Sequence, residues 1–575
     1  MEERKPVIQF VDFGFQYKVQ QKPTLYDINL SIYEGEKVLI LGASGSGKTT
    51  LANCINGLIP FSFAGSITGS LKVNGSETRD LSIFKLSNHV GTVLQDSDAQ
   101  FVGLSVGEDI AFSMENDNIP RDDMLPKVFE HAAQVGMEKL LAALPFNLSG
   151  GQKQKVALAG VLGESMNILI FDEPLASLDP KTGTAAIDMI DRISREEGRV
   201  VIIIEHRLED VLYRPVDRVI VMENGRIISD TKPLELLRGD TLKNCGIREP
   251  LYITALRYAG CDLNRIKGLE NPSDMELSEH DKTKLRAFFE KKNDLPQNQP
   301  GNETLLINEV TYSYDTSVNS EDVLQDISFS VRKGERVALI GKNGAGKSTM
   351  ARLICGIGRP KKGTIFIDGE DYGRLSVKEI GEKIGYVMQN PNQMLVKDII
   401  KDEVQLALVL RELPLNEVET LSEQAMKVCE IYRMRNWPVD SVSYGQKKRI
   451  TVAAILALKP EIVILDEPTA GQDYRHYTEI INFFNRLNSE YGITIIFITH
   501  DMHLAIENTD RAIVFSDGRL IADASVFSVL SDDEIINNAN LKQTSLYVLA
   551  KKLDISPEIC IERYIIHERA ERTVE

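Results

Sequence analysis

Short runs of apolar, mostly β-branched residues alternate along this chain with longer segments in which apolar positions recur at helical spacing. Residues 105–143 and 397–435 lack such runs and are predicted to be helical. This alternation is typical of an α/β fold, in which a mainly parallel sheet carries helices on its faces and, here, a helical subdomain is inserted into each sheet. The runs that predict buried strands are Lys37–Leu41, Asn167–Phe171, Val200–Ile204, Arg336–Ile340, Ile462–Leu465 and Thr494–Ile498.

The second half of the chain repeats the landmarks of the first half at a nearly constant distance. Two glycine-rich lysine motifs lie 299 residues apart, at Lys48 and Lys347. A repeat over this length indicates a tandem duplication, so we expect two similar domains. Four further landmark pairs lie 294 residues apart: Gln95 and Gln389, Ser149 and Ser443, Asp172 and Asp466, and His206 and His500.

A polar segment with two prolines, NDLPQNQPGNET, separates the two halves and has few side chains to bury. We therefore place the first domain at residues 1–292, the linker at 293–303 and the second domain at 304–575. The stretch from Arg265 to Lys292 mixes acidic and basic residues in a helix-favouring composition. It is predicted to be a C-terminal helical extension of the first domain, and the tail of the second domain is expected to match it.

The composition, 43% hydrophobic and 26% charged, is that of a folded globular protein. The 84 acidic residues outnumber the 66 basic ones, which disfavours broad, non-specific binding of nucleic acid. No apolar run has the length of a membrane span, and MEERKPVIQF lacks the apolar core of a signal peptide, so we expect no export. The six cysteines form no CxxC pair and predict no metal site.

Two glycine-rich loops, GASGSGKT and GKNGAGKS, each follow a predicted buried strand and precede a helix. In a phosphate-binding loop, backbone N–H groups converge on phosphate oxygens and the lysine reaches the outer phosphates. The hydroxyl after the lysine is placed to bind Mg²⁺. The predicted nucleotide-binding residues are Gly42, Ser44, Gly45, Gly47, Lys48, Thr49 and Thr50 in the first half, and Gly341, Asn343, Gly344, Gly346, Lys347, Ser348 and Thr349 in the second.

Two apolar strands, ILIFDE and IVILDE, end in paired carboxylates. Taken alone, such a strand end is more often a solvated surface feature. Downstream of a phosphate-binding loop, however, Asp172 and Asp466 fit a Mg²⁺-holding role at the edge where open α/β sheets bind ligands. Glu173 and Glu467 then fit the general base that polarises an attacking water in phosphoryl transfer.

The sequence LSGGQ at Leu148–Gln152 completes the set of motifs. Together with the phosphate-binding loop, Gln95 after a strand and His206 at the end of another, it resembles the ATP-binding cassette (ABC) ATPases over essentially the whole of each half. The second half repeats the set with Gln389, VSYGQ and His500. The resemblance implies tandem P-loop NTPase domains that hydrolyse ATP with Mg²⁺. Each would combine a mainly parallel sheet core with an antiparallel β part and an inserted helical subdomain.

In that family, the signature loop of one cassette closes over the ATP held by the other. The resemblance therefore implies an intramolecular pseudo-dimer with two composite sites. Gln95 and Gln389 would contact Mg²⁺ or the attacking water, and His206 and His500 would be catalytic. Because Tyr444 stands in the place of Gly150, the two sites are not identical. The implied signature contacts to ATP are Ser149, Gly150, Gly151 and Gln152, and Ser443, Tyr444, Gly445 and Gln446.

Phe15 and Tyr314 each lie 33 residues before the lysine of their loop. They resemble the aromatic residue that stacks on adenine in the ABC family. Tyr17 is a competing candidate in the first half, and the alternative role for these aromatics is to pack in the core beneath an N-terminal strand.

The segments QDSDAQFV and QNPNQMLV, which begin at the two glutamines, are similar to the Q-x-x-x-x-Q pattern of energy-coupling-factor importers. In that subgroup the segment lines a groove that receives a cytoplasmic helix of the membrane subunit. The resemblance implies a peripheral ATPase on the cytoplasmic face of the cell membrane, serving uptake of a vitamin, vitamin precursor or metal ion. Its implied partners are a transmembrane coupling subunit and a substrate-binding membrane subunit, with no nucleic acid.

Two other functions share the tandem layout. A fused ATPase of another importer, for example one for sugars, should lack the pattern that ends in Gln100 and Gln393. A ribosome-associated translation factor also carries two cassettes in one chain, but a long, often basic helical linker joins them. Residues 265–304 instead contain seven basic and eight acidic side chains, which disfavours that class. The transported substrate is not encoded in these motifs.

Overall fold

The computed structural model of the protein describes residues 5–94, 100–162, 166–176, 178–291, 301–314, 322–470 and 472–574. The chain divides into two compact units, Met1–Leu285 with Gly471–Arg475, and Arg286–Ala470 with His476–Glu575. Each unit contains one of the glycine-rich lysine loops. The predicted linker lies mostly outside the described residues, as does Gln95.

The first unit contains an antiparallel sheet with strand order β2-β1-β4-β5 and a six-stranded sheet with order β10-β9-β3-β8-β7-β6. In the second sheet, neighbouring strands from β9 to β6 pair in parallel, and β10 pairs antiparallel with β9. The strands are β1 (Pro6–Tyr17), β2 (Leu25–Tyr33), β3 (Lys37–Gly42), β4 (Gly65–Val73), β5 (Ser76–Glu77), β6 (Val90–Val93), β7 (Ile168–Asp172), β8 (Val200–Ile204), β9 (Arg218–Glu223) and β10 (Arg226–Thr231).

The three strands predicted in this half correspond to β3, β7 and β8. Every residue of these strands is buried, because the central strands of a parallel sheet are covered on both faces. A continuous apolar run, rather than an alternating one, is the sequence pattern that this burial produces. The predicted α/β fold with an antiparallel part is confirmed.

Two helices inserted between β6 and β7, α4 and α5, confirm the predicted helical subdomain. Ser105 and Glu108 form a capping box that starts α4. The helices of the first unit are α1 (Lys48–Ile55), α2 (Leu58–Phe61), α3 (Ile83–Ser87), α4 (Val106–Asn116), α5 (Arg121–Gln134), α6 (Gly150–Val161), α7 (Pro180–Glu197), α8 (Leu208–Val211), α9 (Pro233–Arg238), α10 (Thr241–Asn244), α11 (Leu251–Tyr258) and α12 (Glu279–Glu290).

The second unit repeats both sheets, with orders β12-β11-β14-β15 and β16-β17-β18-β13-β19-β20. Its strands are β11 (Glu303–Tyr312), β12 (Leu324–Arg332), β13 (Arg336–Gly341), β14 (Lys362–Ile367), β15 (Glu370–Asp371), β16 (Ile384–Val387), β17 (Ile462–Asp466), β18 (Thr494–Ile498), β19 (Arg511–Ser516) and β20 (Arg519–Ser525). Its helices are α13 (Lys347–Ile354), α14 (Val377–Lys383), α15 (Ile400–Leu410), α16 (Leu415–Val428), α17 (Tyr444–Leu456), α18 (Tyr474–Tyr491), α19 (Met502–Asn508), α20 (Val526–Val529), α21 (Asp533–Asn538), α22 (Ser545–Leu553) and α23 (Pro557–Val574).

The stretch from Arg265 to Lys292 is less helical than the sequence predicts. Within residues 265–291, the part of this stretch that the structure describes, α12 is the only α-helix, and Lys267 pairs with Glu276 in an antiparallel bridge. Gly268, at a φ of 65°, lies where a Cβ atom would come 2.4 Å from the carbonyl oxygen of Asp274. This tight turn, together with Pro272, interrupts the helix that the composition favours.

One hydrophobic core joins the two sheets of the first unit. Phe10, Phe13 and Phe15 of the antiparallel sheet pack in the same cluster as the inward side chains of β3, β7 and β8. The cluster also contains Leu51 and Ile55 of α1, so the helix that follows the glycine-rich loop is anchored between the two sheets. The second unit has the matching cluster around α13. This packing fixes both loops at the carboxyl edge of a rigid sheet.

Candidate functional site

Both glycine-rich loops connect the carboxyl end of a central strand to the N-terminus of a buried helix. Gly47 and Gly346 precede α1 and α13 with φ angles of 101° and 100°, a left-handed conformation that glycine adopts without strain. The helix N-termini therefore direct their first N–H groups into the loops, where they favour an anionic phosphate. The other predicted residues of the loops and first helical turns lie in the same segments: Gly42, Ser44, Gly45, Thr49, Thr50, Gly341, Asn343, Gly344, Ser348 and Thr349.

The two loop lysines are buried and fold over the loops that carry them. Lys48 Nζ donates hydrogen bonds to the carbonyl oxygens of Gly42 at 2.8 Å and Ala43 at 2.9 Å. Lys347 makes the same two bonds, at 2.8 and 2.9 Å, to the equivalent carbonyls of its own loop. Burial lowers the pKa of Lys48, and the carboxylate of Glu173 opposes that shift. Both lysines thus place a cationic donor within the loop.

A hydroxyl group meets a carboxylate beside each lysine. Ser348 Oγ donates a hydrogen bond to Asp466 Oδ1 at 3.4 Å, and Thr49 is hydrogen-bonded to Asp172. Burial raises the pKa of both aspartates, and these hydrogen bonds act in the opposite direction. Hydroxyl and carboxylate oxygens are the ligands that Mg²⁺ takes beside a phosphate, so the two pairs fit this ion. Across the described residues, no cluster of three or more His, Cys, Asp or Glu side chains offers another metal site.

Asp466 has an additional partner that the sequence did not predict. Tyr386, on β16, donates a hydrogen bond from its hydroxyl to Asp466 Oδ2 at 2.6 Å. Burial raises the pKa of Tyr386, and the charge of Asp466 adds to the shift. At the equivalent position on β6 stands Thr92, whose Oγ1 lies 3.2 Å from Asn56 Nδ2. Both carboxylate oxygens of Asp466 therefore accept a hydrogen bond from a hydroxyl group.

Glu173 and Glu467 are the first residues after β7 and β17. Their φ angles, 49° and 46°, are left-handed, which is strained for a residue with a Cβ atom. The neighbouring strand holds both turns in place: the N–H of Glu173 donates to Ile204 O at 2.8 Å, and that of Glu467 donates to Ile498 O at 2.9 Å. Backbone strain of this kind is typical of functional sites, where the surrounding structure stabilises an otherwise unfavourable conformation.

The two predicted histidines follow β8 and β18, but their contacts differ. His500 Nδ1 lies 2.7 Å from Glu467 Oε1. In the first unit, His206 Nδ1 lies 4.0 Å from Glu173 Oε1 and only 3.2 Å from Oε1 of Glu205, the preceding residue. Burial lowers the pKa of His206, opposed by the charge of Glu205. The sequence-based prediction of the site did not include Glu205. Its only signal in the sequence is a carboxylate directly after an apolar run, in IIIEH.

The two signature sequences form the N-termini of α6 and α17. Ser149 and Ser443 cap these helices in capping boxes with Gln152 and Gln446, three residues on. In each box the glutamine Oε1 accepts a hydrogen bond from the serine N–H at 2.9 Å. The two glutamine side chains therefore shape the helix end. The glycines between, Gly150, Gly151 and Gly445, leave the backbone of this end accessible to a ligand.

Tyr444 connects its signature helix to the segment that contains a predicted site residue. Its hydroxyl donates a hydrogen bond to the carbonyl oxygen of Gln389 at 2.9 Å. Gln389 follows β16, as predicted, and its first-unit counterpart Gln95 lies outside the described residues. Gly150, at the place of Tyr444 in the first unit, has no side chain to make this bond.

A buried side chain on each signature helix holds the turn after the predicted general base. Lys448 Nζ donates to the carbonyl oxygens of Glu467, at 3.3 Å, and of Pro468. The neutral Gln154 takes this role in the first unit, where Nε2 donates to Pro174 O at 2.7 Å. Burial lowers the pKa of Lys448 to about 8. No local pattern indicates this role, because both residues lie within a helix that is polar at its start.

The segments that follow Gln95 and Gln389 are each hydrogen-bonded to the helical subdomain of their unit. In each case one carboxylate accepts two successive backbone N–H groups, an arrangement called a clasp below. In the first unit, Asp109 Oδ1 on α4 accepts from Val102 at 2.9 Å and Gly103 at 3.1 Å. In the second, Glu403 Oε2 on α15 accepts from residues 396 and 397 at 2.9 and 2.7 Å. Each segment is thus joined rigidly to the first helix of its subdomain.

The prediction that Phe15 stacks on adenine is wrong. Phe15 is 1% exposed and belongs to the core cluster. Strand register pairs it with Leu25, as it pairs Tyr312 with Leu324, so Tyr17 is the counterpart of Tyr314.

The hydroxyls of these two tyrosines confirm this equivalence. That of Tyr17 lies 3.2 Å from Thr50 Oγ1, and that of Tyr314 lies 2.8 Å from Thr349 Oγ1. Distance from the lysine misled the prediction because the segment between the tyrosine and the next strand is two residues longer in the second half: nine residues follow Tyr314 (315–323), and seven follow Tyr17 (18–24).

Comparison with known proteins agrees with this geometry. The family profile described as ABC transporter matches residues 25–176 and 324–470, and a profile described as ATP-binding cassette cobalt transporter matches residues 239–312. An ABC transporter ATP-binding protein of Clostridium perfringens is 52% identical over 99% of this chain and 100% of its own length. Another from Enterococcus faecalis is 50% identical over 99% of this chain and 100% of its own.

A solved structure of cbiO1 from Clostridium perfringens, part of the ABC transporter complex cbiONQ, is 32% identical and covers 44% of this chain and 99% of its own, with a TM-score of 0.38. Within the part of the chain that the structure describes, no helix is both long enough and apolar enough to cross a membrane. The profile matches and the full-length relatives show that this chain belongs to the family of ABC transporter ATP-binding proteins, with two tandem ATP-hydrolysing cassettes.

Proposed function

We propose that the chain is the ATP-hydrolysing subunit of an energy-coupling-factor importer for a vitamin, vitamin precursor or metal ion. The match of residues 239–312 to the cobalt-transporter profile carries this proposal, because it lies outside the nucleotide-binding motifs that all cassettes share. The presence of two complete sets of site residues in one chain supports it. A fused ATPase of another importer is the closest alternative.

In the proposed reaction, each loop lysine exchanges its carbonyl partners for the outer phosphates of ATP. Glu173 and Glu467 accept a proton from, and orient, the water that attacks the γ-phosphorus. His206 and His500 orient the γ-phosphate. Mg²⁺, when bound, neutralises phosphate charge, and the residues that would hold it are Thr49, Asp172 and Gln95 in one site, and Ser348, Asp466 and Gln389 in the other.

We also propose that the signature helix of one cassette completes the ATP-binding site of the other. The backbone at Ser149, Gly150 and Gly151 would then contact the ATP of Lys347, and that at Ser443 and Gly445 the ATP of Lys48. Capped helix N-termini with little side-chain bulk suit a γ-phosphate, since their N–H groups carry partial positive charge. Tyr444 leaves its backbone available there because its side chain turns back to Gln389.

The surface proposed to receive the membrane subunit lies on the segments held by the two clasps. Val102, Leu104 and Val396 expose 61%, 79% and 69% of their surface there, which is unusual for three apolar side chains in two short segments. Phe101 and Met394, in the same two segments, are half-buried. A cytoplasmic helix with apolar and basic side chains fits these exposed apolar residues and, in the second unit, the exposed carboxylates of Asp398 and Asp402.

Affinity purification of the tagged chain from its native membranes in mild detergent, followed by identification of the copurifying proteins, tests this proposal. We expect two membrane proteins in fixed stoichiometry. Uptake of radiolabelled cobalt(II) and B vitamins by cells that express wild-type protein, compared with the E173Q/E467Q double variant, then identifies the cargo class. Sedimentation with ribosomes and no membrane partner would contradict the transport function.

A further inference from the structure

The first cassette contains a fully buried carboxylate that the second cassette lacks. Glu205, directly after β8, is 0% exposed. Its Oε1 accepts hydrogen bonds from the N–H groups of His206 at 2.9 Å and Arg207 at 3.3 Å, and its Oε2 from that of Leu175 at 3.2 Å. His206 Nδ1 also lies 3.2 Å from Oε1, within ion-pair distance. A buried charge is tolerated only with such a full set of donors, so its position is strongly fixed.

In the second cassette, the equivalent histidine contacts a different carboxylate. Thr499 stands at the place of Glu205, and its Oγ1 lies 3.4 Å from Glu467 Oε2. Glu467 Oε1 accepts from the N–H of His500 at 3.2 Å and contacts His500 Nδ1 at 2.7 Å. The proposed general base of the second site therefore makes the two histidine contacts that Glu205 makes in the first.

We propose that Glu205 is a positioning residue that keeps His206 Nδ1 nearer to its own carboxylate, at 3.2 Å, than to that of Glu173, at 4.0 Å, so that the histidine of the first ATP site is positioned by a carboxylate other than the general base. The second site must break the contact between His500 and Glu467 before that carboxylate can take a proton from water. This inference rests on the roles proposed above for the glutamates and histidines. It predicts two ATP sites with different turnover numbers, set by residues 205 and 499.

The orientation of the imidazole follows from the same contacts. His206 Nδ1 faces the Glu205 carboxylate at 3.2 Å, so Nε2, at the opposite side of the ring, is directed away from that carboxylate. A threonine cannot hold Nδ1 in this way, because its short side chain carries no charge. The imidazole of the first site is thus oriented before ATP arrives, whereas that of the second is oriented by its general base.

Four variants of the full chain test the proposal. E467Q leaves hydrolysis to the first site, and E173Q leaves it to the second. In the E467Q background, E205T should lower kcat by about tenfold or more, because it removes a charge-assisted contact to the histidine, with KM for ATP nearly unchanged. In the E173Q background, T499E should raise kcat severalfold, since it offers His500 a second carboxylate.

The exchange of residues 205 and 499 can be controlled with the same set of variants. E205T in the E173Q background should leave second-site turnover within twofold, whereas a general folding defect would lower it and raise KM. Thermal unfolding shows whether each variant folds, and threonine is the natural residue at this place in the other cassette. Unchanged first-site kcat in a folded E205T protein would overturn the inference. Normal hydrolysis by the E173Q/E467Q double variant would instead contradict the proposed glutamate roles.

Discussion

His500 and Glu467 are in direct contact, with Nδ1 2.7 Å from Oε1, whereas the equivalent atoms of His206 and Glu173 lie 4.0 Å apart. In the first site, His206 Nδ1 is instead closer to Glu205 Oε1, at 3.2 Å. The two sites of this chain therefore differ in which carboxylate lies nearest to the histidine, although their motifs are nearly the same. The difference lies one residue before each histidine.

Glu173→Gln and Glu467→Gln should each reduce hydrolysis at its own site by about 10²-fold or more, since each removes a base and keeps the phosphate contacts. Each single variant should still bind ATP and retain the turnover of the other site. Steady-state ATPase and equilibrium ATP binding measure the two effects separately. Wild-type turnover in either single variant would show that the mutated site does not contribute to hydrolysis.

Tyr17→Ala and Tyr314→Ala should each weaken ATP binding by about tenfold, because a base–aromatic stack contributes about 1–3 kcal/mol. Tyr17→Phe, which retains the ring and loses the Thr50 contact, is the matched control and should bind ATP almost normally. Phe15→Ala should act on folding instead, lowering the free energy of unfolding by about 3–5 kcal/mol. Titration with a fluorescent ATP analogue and chemical denaturation distinguish these outcomes. Weaker binding by a folded Phe15→Ala protein alone would restore the original assignment.

Lys448 should make the stability of the protein depend on pH in a defined direction. Burial lowers its pKa to about 8, below its value in the unfolded chain, so the unfolded state binds more protons between these two values. The free energy of unfolding gains a contribution that rises with pH from about 8 toward the ordinary lysine range. Lys448→Gln, which installs the residue of the first cassette, should remove this rise. Thermal unfolding at pH 7.5 and 9.5 compares the two proteins, and equal pH slopes would contradict the prediction.

Val102→Asp combined with Val396→Asp should release the protein from native membranes and abolish uptake, while the purified chain keeps its ATPase activity. Both side chains are exposed, so a charge there costs little in folding but opposes an apolar contact. Ile228→Asp, at a half-exposed apolar position on β10, is the control and should leave membrane binding intact. Membrane association and transport at wild-type levels in the double variant would place the partner elsewhere.

The sequence predicted the strands that hold the site because a strand covered on both faces needs a continuous apolar run, and only a few segments meet that requirement. It also located the loops, because Gly47 and Gly346 need conformations that other residues avoid. Contacts across the sheet carry no such local signal. The bond from Tyr386 to Asp466 joins residues 80 positions apart, and nothing near either residue marks the pair.

Register is a second limit of prediction from sequence. The choice between Phe15 and Tyr17 depends on how two strands pair, and a two-residue difference in one connection shifted the apparent match. The sequence of an N-terminal strand does not by itself show which of its aromatic side chains face the core and which face the nucleotide. The face to which each side chain points decides its role.

The clasps at Asp109 and Glu403 connect the segments that follow Gln95 and Gln389 to helices α4 and α15. A loop attached by one hydrogen bond pivots about it, but two successive N–H groups held by a single carboxylate fix both position and direction. The segment and the first turns of the helix are therefore expected to move together. We therefore expect a displacement beside the phosphates to reorient a helix of 11 residues, α4 or α15, as one body with the segment bound to it.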